Sequence, residues 1–231
     1  MDLLLAFIGA TAASAFGFDI YRDALRRPRP HIIAYGIGIA MFALATWGLF
    51  FSLWLGWGPV SYKVFYMFGA VLNVPYLALG SVYLVIGYKT GRAFTGPVIA
   101  FSMISILMLV PAKLHEIGPG LIPEAKEVFL VGGPRVLAIM SGAVTGTLLL
   151  SLSLVSILRF WRKNRCLVWG NIFIAAGTLA AASGGTAFAK WGYSQLFVIS
   201  LPSAALLIWA GYRVTSGERG ALLPKTGVTS S

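Results

Sequence analysis

Seven stretches of this chain run for about 20 residues or more with charge confined to their ends, at about 3–21, 31–55, 61–88, 94–112, 134–159, 166–188 and 192–213. A bilayer core roughly 30 Å thick takes about 20 apolar residues to cross as a helix. No soluble domain of this size carries such runs: 58% of the residues are hydrophobic and 11% charged. The expected fold is therefore all-α, a polytopic membrane protein with seven transmembrane helices.

The net charge of +11 is informative only once it is placed on the chain. Thirteen of the 18 Lys and Arg residues fall on one side of the seven runs, in the connections after the first, third and fifth and in the tail. They are Arg22, Arg26, Arg27, Arg29, Lys89, Arg92, Arg159, Arg162, Lys163, Arg165, Arg213, Arg219 and Lys225. Lys63, Lys113, Lys126, Arg135 and Lys190 fall on the other. The positive-inside rule places the N-terminus outside and the C-terminus in the cytoplasm, in the plasma membrane. Trp54, Trp57, Trp191 and Tyr193 then mark the outer boundary, and Tyr21, Tyr35, Tyr88, Trp161, Trp169 and Tyr212 the inner one. The basic excess reads as an orientation device facing anionic lipid, not as a nucleic-acid surface. Asp2 precedes the first run, which lacks a basic leader and reads as a retained helix, not a cleaved signal peptide. The single cysteine, Cys166, excludes an internal disulfide and a CxxC motif.

The one long connection, 112–133, lies outside and carries His115, Glu116, Glu124 and Glu127. Pro123 followed by acids signals a helix start, and Leu121, Ile122, Ala125, Val128 and Phe129 share a face. A short amphipathic helix resting on the outer surface is expected. The tail, 214–231, rich in Ser, Gly and Thr, is expected to be disordered.

The third run carries the most pattern. Tyr62, Tyr66, Gly69, Asn73, Tyr76, Gly80, Tyr83 and Gly87 recur at steps of three and four, which puts them on one helical face. Pro75 removes a backbone donor from the carbonyl of Val71, so a kink is expected there, with the Asn73 amide placed to satisfy the freed group. The candidate ligand-binding residues are Asn73, Tyr66, Tyr76 and Tyr83 in this run, with Trp47, Asn171, Thr178 and Ser203 in its neighbours. For each a structural role competes: a hydroxyl bonded to its own helix, or a ring packed at a seam. Small residues at four-residue spacing, Gly9, Ala13 and Gly17 and then Gly142 and Gly146, predict close helix contacts. Asp19 lies about 26 Å along the first run at 1.5 Å per residue, where pairing with Arg22 at the interface is expected over a proton relay.

Gly36 to Trp57 and Gly170 to Trp191 are both 21 residues apart, each Trp followed by Gly, and Pro75 in the third run has Pro202 in the seventh. These matches suggest a parallel repeat of three helices either side of a connector. The arrangement resembles, in topology only, the 3+1+3 plan of SWEET and PQ-loop carriers, although the chain has no PQ dipeptide. No lysine occurs between Ser194 and Gly211 to attach retinal, and His31 and His115 lie at opposite surfaces, unable to sandwich haem. No cofactor and no metal site is expected. Nucleophile–base pairs and metal-ligand sets are lacking within the membrane, so the chain is not read as an enzyme. The expectation is a carrier or facilitator for a small neutral or lipid-like molecule; the alternative is a non-transporting sensor or assembly subunit.

Overall fold

Proline and glycine set the helix boundaries. The computed structural model describes residues 2–115, 117, 123, 125–162, 165–183 and 194–221. Helix α1, Asp2–Arg26, stops at Arg27-Pro28-Arg29, and Pro30 occupies the first turn of α2, Pro30–Leu55, where a missing N–H costs nothing. Gly56 closes α2 at φ +92°, and the N–H of Gly58 donates to Ser61 Oγ at 3.1 Å to start α3, Pro59–Val85. Gly87, at φ +128°, turns the chain directly into α4, Tyr88–Leu109. Lys89 and Arg92 therefore lie within the first turns of a helix instead of in a loop. After the short α5, Ala125–Val128, come α6, Gly133–Phe160, α7, Arg165–Ser183, and α8, Ser194–Ala221. The last helix continues past Val214, so residues up to Ala221 of the expected tail are helical; 222–231 lie outside the described residues.

Helices α1, α2, α3, α4, α6 and the 196–214 part of α8 are each long and apolar enough to cross a membrane, and α7 adds a shorter apolar helix, Val168–Ala181. The chain is a multi-pass helical membrane protein. The sixth run was expected to reach 188, and its last residues fall outside the described ones.

Six helices close into a ring: α1 packs on α2 and α8, α2 on α3, α3 on α6, α6 on α7, and α7 on α8. Helix α4 stands outside the ring against α3 and α6. At one end of the ring Phe16, Ile20, Ile39, Leu77 and Leu149 form a core, and at the other Tyr62, Tyr66, Leu109, Phe129 and Leu137 form a second. The segment around α5 joins that second core. Val128 and Phe129 are buried, and Leu114 and Phe129 form an isolated antiparallel bridge. It is thus tucked against Tyr62 and Tyr66, not laid on the outer surface, because Phe129 meets the Tyr66 ring edge-to-face, 4.9 Å between ring centres.

Two helices leave α geometry in their middles. Met67–Leu72 of α3 and Ser141–Gly146 of α6 are π-helical, and the two segments meet. Pro75 explains the first: its ring opposes the carbonyl four residues back and it offers no N–H to Val71, so a wider turn relieves the clash. The freed group is satisfied from the neighbouring helix, since Ser141 Oγ donates to Val71 O at 2.6 Å. The expected Asn73 bond is absent. Asn73 is 5% exposed and its Oδ1 has no partner. The glycine pair in the second π segment also departs from expectation: a Cβ at Gly142 or Gly146 would meet nothing within 4 Å, so neither marks a tight seam. At Gly9, by contrast, a Cβ would come within 3.4 Å of the Pro202 ring.

Candidate functional site

Side chains at helical spacing from five helices converge at the end of the ring where the arginines collect. Phe16 and Asp23 are seven residues apart on α1, Leu77 and Leu84 seven apart on α3, and Ile208 and Tyr212 four apart on α8, so each pair shares a face. With Ile32, Tyr35 and Ile174 they line a cavity of about 310 Å³. Its mouth holds Arg26, Arg27, Arg29 and His31, at the end of α1 and the start of α2. Phe16 lies ten residues before Arg26, about 15 Å along the helix, so the floor reaches about halfway through a hydrocarbon core of roughly 30 Å.

Tyr35 is the wall of this cavity. It lies flat on α3 because position 80 is glycine; a Cβ there would sit 2.9 Å from the Tyr35 ring. The Tyr35 hydroxyl and Ser81 Oγ are 2.8 Å apart. Ser81 Oγ also donates to Leu77 O at 3.2 Å. Behind Tyr35, Ser81, Ser153 and Asn171 line a second space of about 20 Å³, roughly the room one water molecule needs.

The carboxylates near the mouth are tied to the last helix. Asp19 Oδ2 accepts from Trp209 Nε1 at 2.9 Å and from Arg213 at 3.0 Å, and Asp23 Oδ2 accepts from the Tyr212 hydroxyl at 2.7 Å. The expected Asp19–Arg22 pair is replaced by this contact across the ring, because Arg22 lies over the Phe18 ring, 5.8 Å from its centre. Asp19 and Asp23 are thus both engaged by α8, and the ion pair of Asp19 is with Arg213.

The residues singled out from sequence do not assemble into one place. Asn171 alone lines a described cavity, the small one. Tyr76 accepts from Ser102 Oγ at 3.3 Å and Tyr83 meets Thr95 Oγ1 at 2.7 Å, both on α4, outside the ring. Tyr66 donates to Pro134 O at 3.5 Å at the opposite end. Trp47 Nε1 donates to Ser14 Oγ at 3.0 Å on the seam between α1 and α2. Thr178 and Ser203 each donate at 2.8 Å to a carbonyl of their own helix. Asn73 stays buried, its backbone oxygen 3.1 Å from where a Cβ on Gly38 would lie. Sequence reasoning missed Phe16, Asp23, Tyr35 and Tyr212 as a group. The one available signal was the Arg-Arg-Pro-Arg-Pro run, which orientation alone already explained.

Compared with known proteins, the chain matches no family model and no curated protein sequence.

Proposed function

We propose that this protein is a carrier or facilitator for a small neutral or lipid-like molecule, with its site in the cavity at the arginine-rich end of the ring. The cavity carries the reading: it is walled by Phe16, Leu77, Leu84, Ile174 and Ile208, has Arg26, Arg27 and Arg29 at its rim, and reaches about mid-depth. Concave apolar space with a few polar groups is the usual form of a small-molecule site. In this reading the membrane is crossed seven times, with the N-terminus outside and the arginine-rich end in the cytoplasm. Helices α1–α3 and α6–α8 form the two repeats, and α4 is the connector outside the ring. Catalysis plays no part. Tyr35 stands between the site and the small polar space that Asn171 lines, and Asn73 lies at the π-helical joint that a moving α3 would flex.

A second reading is a non-transporting sensor or assembly subunit. It is favoured by the tyrosines of α3, each of which is already engaged by a protein partner.

One labelling experiment separates the two. In a Cys166→Ser background, Leu77→Cys is placed at the cavity floor and the protein is inserted in sealed vesicles of known orientation. A carrier exposes position 77 to a membrane-impermeant maleimide from both sides, at different times in its cycle. Labelling only ever from the arginine-rich side would sink the transport reading and leave the subunit.

A further inference from the structure

The cavity is apolar at its floor and cationic at its mouth, and this polarity names a ligand. Phe16, Leu77, Ile174 and Ile208 offer no hydrogen-bonding side chain. Arg26, Arg27 and Arg29 are exposed at the rim, and Asp23, the one carboxylate among the described residues that line the cavity, accepts the Tyr212 hydroxyl. The mouth therefore has an excess of positive charge. The first turn of α2, which begins beside it at Pro30, adds the positive end of a helix dipole.

A small hydrophilic anion would satisfy the rim and leave the floor empty. A neutral hydrocarbon would fill the floor and gain nothing from the guanidinium groups. A molecule with an anionic head and an apolar tail meets both halves. Guanidinium favours a carboxylate or phosphate head through paired N–H donors. The volume decides the tail. About 310 Å³ is at the lower end of the roughly 300–1,000 Å³ typical of ligand sites, which suits one chain and not two.

We propose that the cavity binds a single-chain anionic amphiphile, its carboxylate or phosphate head at Arg26, Arg27 and Arg29 and its tail against Phe16, Leu77 and Ile208. The proposal rests on the carrier reading for its site and adds the ligand class. The same arginines then do two things: they orient the chain in the membrane, and they hold the head of what it carries.

The test uses the full chain in phosphatidylcholine nanodiscs, with dodecyl phosphate as probe and equilibrium binding as the readout. Saturable binding of one probe per chain is expected. Dodecylphosphocholine should bind at least tenfold more weakly, and inorganic phosphate should not compete. Replacing Arg26, Arg27 and Arg29 together by Gln should weaken binding at least tenfold, and Leu84→Trp, which fills the cavity wall, should do the same. Replacing Arg22, Lys89 and Arg92 by Gln removes as many charges outside the cavity and should leave the affinity unchanged. Equal loss in that control, or equal affinity for the zwitterionic probe, would assign the binding to general surface charge and overturn the proposal. Competition by inorganic phosphate would make it an ion site, and displacement of the probe by phosphatidylserine in the disc would make it a two-chain lipid site; either result overturns the assignment. Binding with position 77 labelled from one side only would keep the ligand class and remove transport. Two-sided labelling without probe binding would do the reverse.

Discussion

Val71 and Ser141 show how one side chain repairs a backbone defect inside a membrane. A carbonyl deprived of its helical donor cannot turn to water in hydrocarbon, and Pro75 deprives Val71 of it. Ser141 Oγ, 2.6 Å away and buried, takes over. Ser141→Ala should therefore lower thermal stability by about 1–3 kcal/mol, the usual cost of stranding a buried polar group. In a Pro75→Ala background the N–H returns, and the same serine change should cost much less. Additive losses in that double-mutant cycle would show that the two residues act independently. Asn73 makes the opposite prediction. Because its Oδ1 is buried without a partner, Asn73→Leu, close in shape, removes an unsatisfied group and should leave the melting temperature unchanged or raise it. A drop equivalent to more than about 1 kcal/mol would mean the amide bridges two helices after all. The site residues read from sequence were chosen by type, and type does not say which hydroxyls a neighbouring helix has already engaged. Tyr83 was legible as one of a helical stripe of tyrosines; that Thr95, on a helix outside the ring, meets it was not.

Helix pairing depends on a few glycines, and the structure separates those that seat a neighbour from those that do not. Gly80 and Gly146 both occur at regular helical spacing in the sequence. At Gly80 a side chain would enter the Tyr35 ring, whereas at Gly146 it would meet nothing within 4 Å. Gly80→Val should push α2 from α3, break the contact between Tyr35 and Ser81, and cost of order 1–3 kcal/mol through overpacking. Gly146→Ala should be tolerated, with a gain of up to about 0.5–1 kcal/mol from reduced backbone freedom. Thermal unfolding of both variants in one detergent checks the pair, and similar behaviour would contradict the packing of α2 on α3. Element boundaries were legible where proline or glycine marks them, as at Pro28, Pro30 and Pro59. They were misplaced at Gly87, because Lys89 and Arg92 resemble loop residues although helix starts tolerate them.

At the scale of the whole molecule, the ring is closed by contacts between the first helix and the last, through Asp19, Trp209 and Arg213, and through Asp23 and Tyr212. Closure puts the arginine-rich end and the α5 segment at opposite ends of the bundle, so the proposed orientation has a direct check. In the Cys166→Ser background, a cysteine at Glu127 should react with an impermeant reagent on intact cells. Reaction only after lysis would reverse the assigned sides. The sequence by itself determined the environment of this protein, its helical class and the sided distribution of its charge, because those depend on local composition: a run of about 20 apolar residues has one stable home. Tertiary structure alone decided which carbonyl Ser141 rescues, which partner Asp19 takes, and that Phe16, Tyr35 and Leu77 wall one cavity below three arginines. These are relations between residues far apart in the chain. Every helix offers several faces of nearly equal polarity to its neighbours, and only the closed ring chooses among them.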